Sequence, residues 1–282
     1  NSLIKMLDKG IIPKECEGCF DLREQEKPKN LIISQLSKPP KANMIIVKHF
    51  KQCDCSCVYC CEQYLSGRKI VLKSKKSDYY DLLPIIKECY KQDVIDKNNL
   101  DVHFQGGNVS VLDEFGDLVD IFLKNGVKRV EIATNGIKYL PEIEKLSDKT
   151  FVDVNISIDS GCRETFKKIK TVDKFDEVVE NLKKYVKLPI LLRLKYILVR
   201  GYNDNTEEIE KYINLMKEIG ITNSELMIDQ CDKDFLQDGE FKIPDYYYNL
   251  FEFYKQKCTE NGINPTIWEY IEEILKKGSF FK

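Results

Sequence analysis

The regular alternation of strand-like and helix-like segments beyond residue 43 is the feature that most limits the folds open to this chain. Short runs rich in Val, Ile, Leu and Phe alternate with longer stretches of amphipathic pattern. The strand candidates are Met44–His49, Leu100–Phe104, Lys128–Ala133, Phe151–Ile158, Ile190–Val199 and Glu225–Asp229. Such alternation implies parallel strands joined by right-handed crossovers, and six units are too few to close an eight-stranded barrel. The sequence therefore predicts an α/β fold that is either a partial barrel or an open doubly wound sheet.

The segments between these strands carry helix start and stop signals. Asn205 followed by Glu208 resembles a capping box, and Gly220 ends that predicted helix. Ser110, with Asp113 three residues later, is the predicted N-cap of another helix. The other predicted helices are Asp78–Gln92, Arg163–Val186, Asp245–Glu260 and Pro265–Lys277.

Two of these helical segments contain residues that interrupt a helix. Pro84 implies that the first is kinked or begins late. Thr171 and Asp173 are candidate interruptions of the second.

The first forty residues differ from the rest of the chain. They are rich in proline, end at Pro39 and Pro40, and contain Cys16 and Cys19 in a Cys-x-x-Cys pair. We therefore predict an N-terminal extension over residues 1–40 and a main domain over residues 41–282 that ends in C-terminal helices.

Composition narrows the classes of partner. The formal net charge is −2, so no basic surplus indicates a nucleic-acid partner. Apolar runs such as Tyr196–Val199 are strand-sized, and the first residues show no secretion signal. A cytoplasmic protein without membrane contact is expected. In that setting the eleven cysteines are more typical of metal ligands or catalytic thiols than of disulfides.

Three cysteines form the most informative motif. Cys53, Cys57 and Cys60 have the spacing Cys-x3-Cys-x2-Cys. Thiolates on so short a tether can converge on one inorganic cluster. A cubane iron–sulfur cluster is usually held by four thiolates. Three would therefore leave one iron open, as a catalytic metal keeps an open position.

Small or polar residues end or follow four of the other strand candidates. In parallel α/β sheets, ligands gather beyond the carboxyl ends of the strands. Taken singly, each of these residues is explained as well by a tight turn or by a solvated strand position. They are Gly106, Gly107 and Asn108 after the second strand, Thr134 after the third, Ser157 and Asp159 at the fourth, and Arg193 and Lys195 in the fifth.

The order of these features resembles the radical S-adenosylmethionine (radical SAM) superfamily. A cysteine loop, Gly-Gly, Thr-Asn-Gly and Ser-x-Asp follow successive strands over about residues 43 to 230. The stretch Arg193–Asn203 also resembles the fifth-strand region of the molybdopterin-biosynthesis branch. The resemblance implies a partial (βα)6 TIM-like barrel, preceded here by an N-terminal extension that contains cysteines.

The resemblance also implies the chemistry of the motif. Cys53, Cys57 and Cys60 would bind a [4Fe–4S] cluster, and SAM would chelate the fourth iron through its amine and carboxylate. One-electron reduction would break the bond to the adenosyl C5′, and the 5′-deoxyadenosyl radical would abstract hydrogen from a substrate. Cys55 and Cys61 are expected to be non-ligating.

Contacts with SAM follow from the same resemblance. Tyr59 matches the aromatic residue whose backbone lies along the adenine. Asn108 stands where the family has Glu in a Gly-Gly-Glu loop that binds the methionine amine. An Asn carbonyl accepts a hydrogen bond but brings no charge, so a weaker contact is expected. The other implied contacts are Gly106 and Gly107 in that loop, Thr134 beside the same amine, Ser157 and Asp159 near the ribose, and Arg193 or Lys195 at the carboxylate of SAM.

Cysteines outside the motif suggest further roles. The segment Ile12–Cys19 resembles the Pro-x-x-Cys-x-x-Cys segment of members with auxiliary-cluster (SPASM or twitch) domains. Cys16 and Cys19 are therefore candidate ligands of a second iron–sulfur cluster. A zinc or redox pair, or free thiols, are the alternatives. Cys231, after the sixth strand, is a candidate catalytic thiol that returns a hydrogen atom to a substrate radical, or else a buried structural cysteine.

The predicted function is that of a radical SAM enzyme acting on a peptide or a small metabolite. The electron donor would be a protein such as flavodoxin or ferredoxin. Two alternatives stay open. One is a non-catalytic protein that holds zinc or a structural iron–sulfur cluster, and the other is a degenerate member that binds SAM weakly because of Asn108.

Overall fold

The computed structural model describes residues 41–60, 80–229, 232, 236–237, 240–241 and 243–267. Apart from Lys41, these residues belong to one compact unit that begins at Ala42. The predicted extension over residues 1–40 lies outside the described residues, so the division into extension and main domain stays a prediction. Four cysteines discussed above also lie outside them: Cys16, Cys19, Cys61 and Cys231.

A seven-stranded parallel sheet forms the centre of the fold. Its strands, in spatial order, are β1 (Met44–Val47), β2 (Asp101–Phe104), β3 (Arg129–Thr134), β4 (Phe151–Ser157), β5 (Leu191–Leu198), β6 (Asn223–Ile228) and β9 (Asn264–Ile267). Every neighbouring pair is parallel, and β1 and β9 are the two edges. This open, sequential order confirms the predicted α/β partial barrel. A short antiparallel pair, β7 (Leu236–Gln237) and β8 (Glu240–Phe241), follows β6.

Helices connect most of the consecutive strands of the sheet. They are α1 (Leu83–Lys91), α2 (Phe115–Lys124), α3 (Pro141–Ser147), α4 (Arg163–Lys170), α5 (Phe175–Tyr185), α6 (Thr206–Ile219) and α7 (Asp245–Glu260). Among the described residues, no helix combines the length and the hydrophobicity that a bilayer crossing demands.

Several predicted helix ends are confirmed. The side chain of Asn205 accepts a hydrogen bond from the backbone N–H of Glu208 at 3.0 Å and so caps α6. Thr171, with φ +60°, ends α4 in the left-handed conformation and separates it from α5. Pro84 lies in the first turn of α1, so that helix begins late rather than kinking.

Two predictions about local structure are wrong. Ser110 does not cap a helix: it lies in a single 3-10 turn (Val109–Val111), and α2 begins at Phe115. Its hydroxyl instead takes part in the site described below. Residues 264–267 are not helical but form β9, since they pair in parallel register with the edge of β6. Pairing with that edge overrides the local pattern that favoured a helix.

The outer face of the sheet packs against the helices. Alternate strand residues on this face are fully buried, which is the period of two expected for a strand covered on one side. Phe104 of β2 makes edge-to-face contacts with Phe115 and Phe122 of α2, with ring centroids 5.0 and 6.2 Å apart. Other fully buried residues of this layer are Val102, Ile132, Val154, Leu194 and Leu226.

The inner face of the sheet is polar and carries paired charges. Asp153 is fully buried and binds two guanidinium groups, with Arg129 Nη2 at 2.9 Å and Arg193 Nε at 3.2 Å. Glu131 lies 3.4 Å from Arg129 and 3.7 Å from His103. Buried charges are stable only when they are paired, so these residues hold one another in place across four strands.

Replacing Phe104 with alanine is expected to destabilise the protein by about 3–5 kcal/mol, because a fully buried ring in contact with two others is removed. The matched control is Phe151→Ala, since that ring is 53% exposed and contacts Arg129 only over its face. Its expected cost is below about 1 kcal/mol. Urea unfolding followed by circular dichroism measures both, and equal effects would show that the packing of β2 on α2 is described wrongly.

Candidate metal and cofactor site

The loop over residues 48–60, which carries the three motif cysteines, lies at the carboxyl edge of the sheet. Main-chain hydrogen bonds hold it to the loop after β2. The N–H of Gly107 donates to the carbonyl of Phe50 at 3.2 Å, and the N–H of Asn108 donates to that of Gln52 at 2.8 Å. Because both partners are backbone groups, this contact fixes the course of the chain just before Cys53.

The two glycines permit the close approach of these loops. A Cβ atom on Gly107 would lie 2.0 Å from the carbonyl oxygen of Gln52 and 2.8 Å from the carbonyl carbon of Lys51. Gly106 has φ +107°, a conformation that L side chains rarely adopt, and its Cβ would lie 2.8 Å from the Phe50 oxygen. Packing of the two loops therefore explains the Gly-Gly pair, while its implied contact with SAM stays a prediction.

Three thiols of the loop are neighbours. Cys55 is buried, whereas Cys53 and Cys57 are half-buried. A hydrogen bond from the Cys55 side chain lowers the pKa of Cys53. Cys55 likewise lowers the pKa of Cys57 to about 7, and the buried ammonium of Lys170 adds to this effect. The same two contacts raise the pKa of Cys55. The thiolate is the metal-binding form, so the lowered pKa values of Cys53 and Cys57 are compatible with a role as ligands, and that role stays a prediction.

The donor set at the loop fits an iron–sulfur cluster. Cys60, the third motif cysteine, is half-buried and follows a turn in which its N–H donates to the carbonyl of Cys57 at 3.1 Å. Donor atoms of Cys53, Asp54 and Cys55 all lie within 4.8 Å of one another, and this group shares only Cys53 with the motif. Thiols with lowered pKa values, supplied by one short loop, are the ligands that such clusters take.

Asn108 is the centre of a buried polar network at the ends of β2 and β3. Its Nδ2 lies 2.8 Å from Asp54 Oδ1 and 2.9 Å from Asn135 Oδ1. The Ser110 hydroxyl lies 2.6 Å from the same nitrogen, and the Thr134 hydroxyl donates to Asn108 Oδ1 at 2.8 Å. Asn135 Nδ2 donates to Asp54 Oδ1 at 2.5 Å. The network links the cysteine loop to two strands, and Asp54 brings a negative charge beside Asn108.

A second buried cluster lies behind the cysteine loop. The Tyr59 hydroxyl donates to Asp159 Oδ2 at 2.5 Å, and Lys170 Nζ donates to Tyr59 at 2.8 Å and also to Asp159. The remaining oxygen of Asp159 accepts from the N–H of Ile197 at 2.9 Å. Asp159 and Lys170 are both at least 99% buried. The Asp159 carboxylate is therefore directed at protein groups.

Ser157 and Lys195 are cross-strand partners near the carboxyl ends of β4 and β5. Both are half-buried, and neither side chain forms a hydrogen bond with another of the described residues. Asn155, two residues earlier on the same face, is 93% buried and has no partner for its Oδ1 among the described residues. Arg193 differs from Lys195 because its guanidinium is bound to Asp153.

The predicted site residues thus converge at one edge of the sheet in three groups. The cysteine loop meets Asn108 and Thr134 through Asp54, Tyr59 lies with Asp159, and Ser157 lies with Lys195. Sequence reasoning missed three residues of these groups: Asp54, Asn135 and Lys170. Asp54 could have been found from its position inside the cysteine motif. Lys170 carries no local signal, because a lysine in a basic helical stretch is usually solvated.

The family model for the radical SAM superfamily matches residues 47–223, which is more than half of the chain and includes every group of the site. The chain belongs to the radical SAM superfamily.

The most similar relatives include two GTP 3′,8-cyclases. The probable GTP 3′,8-cyclase of Saccharolobus islandicus is 26% identical over 197 residues, which cover 70% of this chain and 59% of the relative. The GTP 3′,8-cyclase of Clostridium perfringens is 24% identical over 210 residues, which cover 67% of this chain and 62% of the relative. The chain thus spans about three fifths of the length of these relatives.

Solved structures share the fold. Streptococcus suis SuiB bound to the precursor peptide SuiA has a TM-score of 0.56 at 13% identity, over 95% of this chain and 61% of that one. Native anSMEcpe with bound AdoMet has a TM-score of 0.56 at 17% identity, over 80% of this chain and 64% of that one.

Membership of the superfamily has direct consequences. The protein is an enzyme, and the family implies a [4Fe–4S] cluster and SAM as its cofactors. The expectation of a non-catalytic metal protein loses its basis. The substrate, a second cluster and the SPASM or twitch subgroup do not follow from membership.

Replacing Gly107 with alanine is expected to push the two loops apart, because the new methyl group would overlap the carbonyl of Gln52. The expected destabilisation is about 1–3 kcal/mol. The amount of iron that the protein binds after anaerobic reconstitution should also decrease. The control is Gly116→Ala in α2, where the nearest atom, Glu142 Oε1, is 3.5 Å from the new methyl group. Equal iron content in the two variants would show that the loop contact does not matter for the site.

Proposed function

We propose that the protein cleaves SAM reductively at a [4Fe–4S] cluster held by Cys53, Cys57 and Cys60, and uses the resulting radical to abstract hydrogen from a peptide or small metabolite. The observation that carries the proposal is the fixed docking of the Cys-x3-Cys-x2-Cys loop on the Gly-Gly-Asn loop at the carboxyl edge of the sheet. Thiols of lowered pKa and a family match over the same residues support it.

The residues of the chain position the cofactors and exclude water. When bound, the cluster and SAM supply the one-electron cleavage that generates the 5′-deoxyadenosyl radical. Cys55, as a protonated donor, stabilises the neighbouring thiolates of Cys53 and Cys57. The backbone beside Tyr59 would contact the adenine of SAM.

Two poles of the site recognise the charged end of SAM. At the amine pole, Gly106 and Gly107 precede Asn108 in the loop, and the Thr134 hydroxyl holds its amide oxygen. The Asp54 carboxylate, 2.8 Å from Asn108 Nδ2, supplies the negative charge that Asn108 lacks.

At the other pole, Lys195 pairs with the carboxylate of SAM, while Ser157 on the adjacent strand lies toward the ribose. Lys195 is preferred to Arg193 because the Arg193 guanidinium is already bound to the buried Asp153. A cation committed to a buried partner is costly to release.

A peptide is the preferred substrate class. On the inner face of the described strands, Arg129 and Arg193 face the carboxylates of Asp153, Glu131 and Glu225, so these two arginines bring no net positive charge for a triphosphate. The crystal structure of SuiB contains a precursor peptide. The relatives named as GTP 3′,8-cyclases keep a nucleotide as the second candidate.

Further parts of the proposal concern residues outside the described ranges. Cys16 and Cys19 bind an auxiliary cluster of the SPASM or twitch type, and Cys231 returns a hydrogen atom to the substrate radical. A flavodoxin or a ferredoxin in the cytoplasm supplies the electron. Support for these parts comes from the sequence pattern alone.

Anaerobic reconstitution tests the cluster and its ligands. Wild-type protein should bind at least about four iron and four sulfide per chain and form 5′-deoxyadenosine from SAM with dithionite. The Cys53/Cys57/Cys60 triple alanine variant should form none, and Cys89→Ala, at an isolated cysteine of α1, should behave as wild type. Iron that persists in the triple variant reports the auxiliary cluster. A colourless zinc protein, or wild type that forms no 5′-deoxyadenosine, contradicts the proposal.

A charge exchange tests the amine pole. Asp54→Asn should weaken SAM binding about tenfold or more, which corresponds to ~1.4 kcal/mol. Asn108→Glu should also weaken it, because a second carboxylate would replace the amide that now bonds to Asp54. The double variant Asp54→Asn/Asn108→Glu retains one charge in the same contact and should recover most of the affinity.

Isothermal titration of reconstituted protein with SAM measures this exchange. Asp101→Asn, at the opposite end of β2, is the control. Tighter binding by Asn108→Glu alone would show instead that the chain is a degenerate member that lacks an acidic group at this pole.

A further inference from the structure

The buried cluster of Tyr59, Asp159 and Lys170 has no role in the chemistry described above. Lys170 Nζ contacts both Asp159 and the Tyr59 hydroxyl, and lies 5.2 Å from the centre of the Tyr59 ring. The Lys170 side chain is 1% exposed and the Asp159 side chain is fully buried. A lysine so deeply buried is rare unless it is paired. Desolvation by burial alone would lower the pKa of Lys170, but the charge of Asp159 reverses this and raises it, so the ammonium is charged.

The C-terminal end of α4, which carries Lys170, also binds the cysteine loop through hydrogen bonds. The N–H of Ser56 donates to the carbonyl of Lys170 at 3.2 Å, and the N–H of Val58 donates to that of Ile169 at 2.9 Å. The Thr171 hydroxyl donates to the carbonyl of Ser56 at 2.9 Å. The last carbonyls of α4, which have no partner within a helix, thus accept from the loop on either side of Cys57.

The buried Lys170 ammonium therefore lies close to the cysteine loop, since its side chain contacts Tyr59 and its carbonyl contacts Ser56, on either side of Cys57. The loop and the cation are parts of one rigid contact, because Lys170 binds the loop through its backbone and Tyr59 through its side chain.

We propose that Lys170 and Asp159 are positioning residues that set the reduction potential of the cluster held by the cysteine loop. Reduction adds one negative charge to the cluster. The buried ammonium stabilises the reduced form and raises the potential, while Asp159 holds the ammonium in place and partly offsets its charge. This inference rests on the proposed function, and it assigns the Asp159 carboxylate to Lys170 rather than to the ribose of SAM.

The test is the midpoint potential of the reconstituted cluster, measured by electron paramagnetic resonance during a redox titration. Lys170→Gln keeps a hydrogen-bond donor and loses the charge, so the potential should fall. The expected change is at least tenfold in the ratio of oxidised to reduced cluster at fixed potential, or 59 mV for one electron. Asp159→Asn loses the opposite charge, so the potential should rise.

Lys168→Gln is the matched control, because this exposed lysine lies on the same helix and pairs with Glu164 on the surface. Its potential should equal that of wild type. If Lys170→Gln does not fold, the double variant Lys170→Gln/Asp159→Asn removes both charges together. The potential of this double variant should lie below that of Asp159→Asn.

The direction of the two shifts separates a role of charge from a structural role. If the midpoint potentials of Lys170→Gln and Asp159→Asn shift in the same direction, this inference alone is overturned. The same holds if Lys170→Gln has its full iron content and the same potential as Lys168→Gln. Wild-type protein that forms no redox-active cluster overturns the proposed function and this inference with it.

Discussion

The main-chain contact between the loop after β1 and the loop after β2 is the constraint on which the site depends. The hydrogen bonds of Gly107 and Asn108 to the carbonyls of Phe50 and Gln52 fix the chain just before the first motif cysteine. The contact requires a residue without a Cβ at Gly107, since any side chain would overlap the opposite backbone. Parallel strands bring their carboxyl ends to the same edge, so this contact aligns the cysteine loop with the other groups of the site.

Charges are distributed around the loop in a definite way. A carboxylate, Asp54, lies among the amide donors of Asn108 and Asn135, and a buried ammonium, Lys170, contacts Tyr59 of the loop and has Asp159 as its partner. On the inner face of the sheet, Asp153 pairs with two arginines, and Glu131 brings a second carboxylate beside Arg129. Each buried charge in these groups has a partner, as low-dielectric surroundings require. Lys195, a half-buried cation near the carboxyl edge whose side chain has no partner within the described part of the chain, is the one proposed to meet SAM.

Local sequence patterns correctly predicted features that depend on contacts within a single segment of the chain. The Asn205 cap was predictable because its acceptor and the N–H of Glu208 lie in one turn. The signal at Ser110 was of the same kind and failed, because the hydroxyl is used by Asn108 and Asp54, which come from other segments. The strand over residues 264–267 was missed for a related reason, since its pairing partner is β6 rather than its own neighbours.

The sequence by itself determined the alternation of strands and helices, the spacing of Cys53, Cys57 and Cys60, and hence the type of fold and cluster chemistry. These are properties of short segments, where periodicity and tether length limit the outcome. Only the tertiary structure decided that Arg193 is occupied by Asp153, that Asp54 lies beside Asn108, and that a helical lysine is buried against the loop. Such pairings join residues far apart in the chain, and burial and charge neutrality in the folded protein select them.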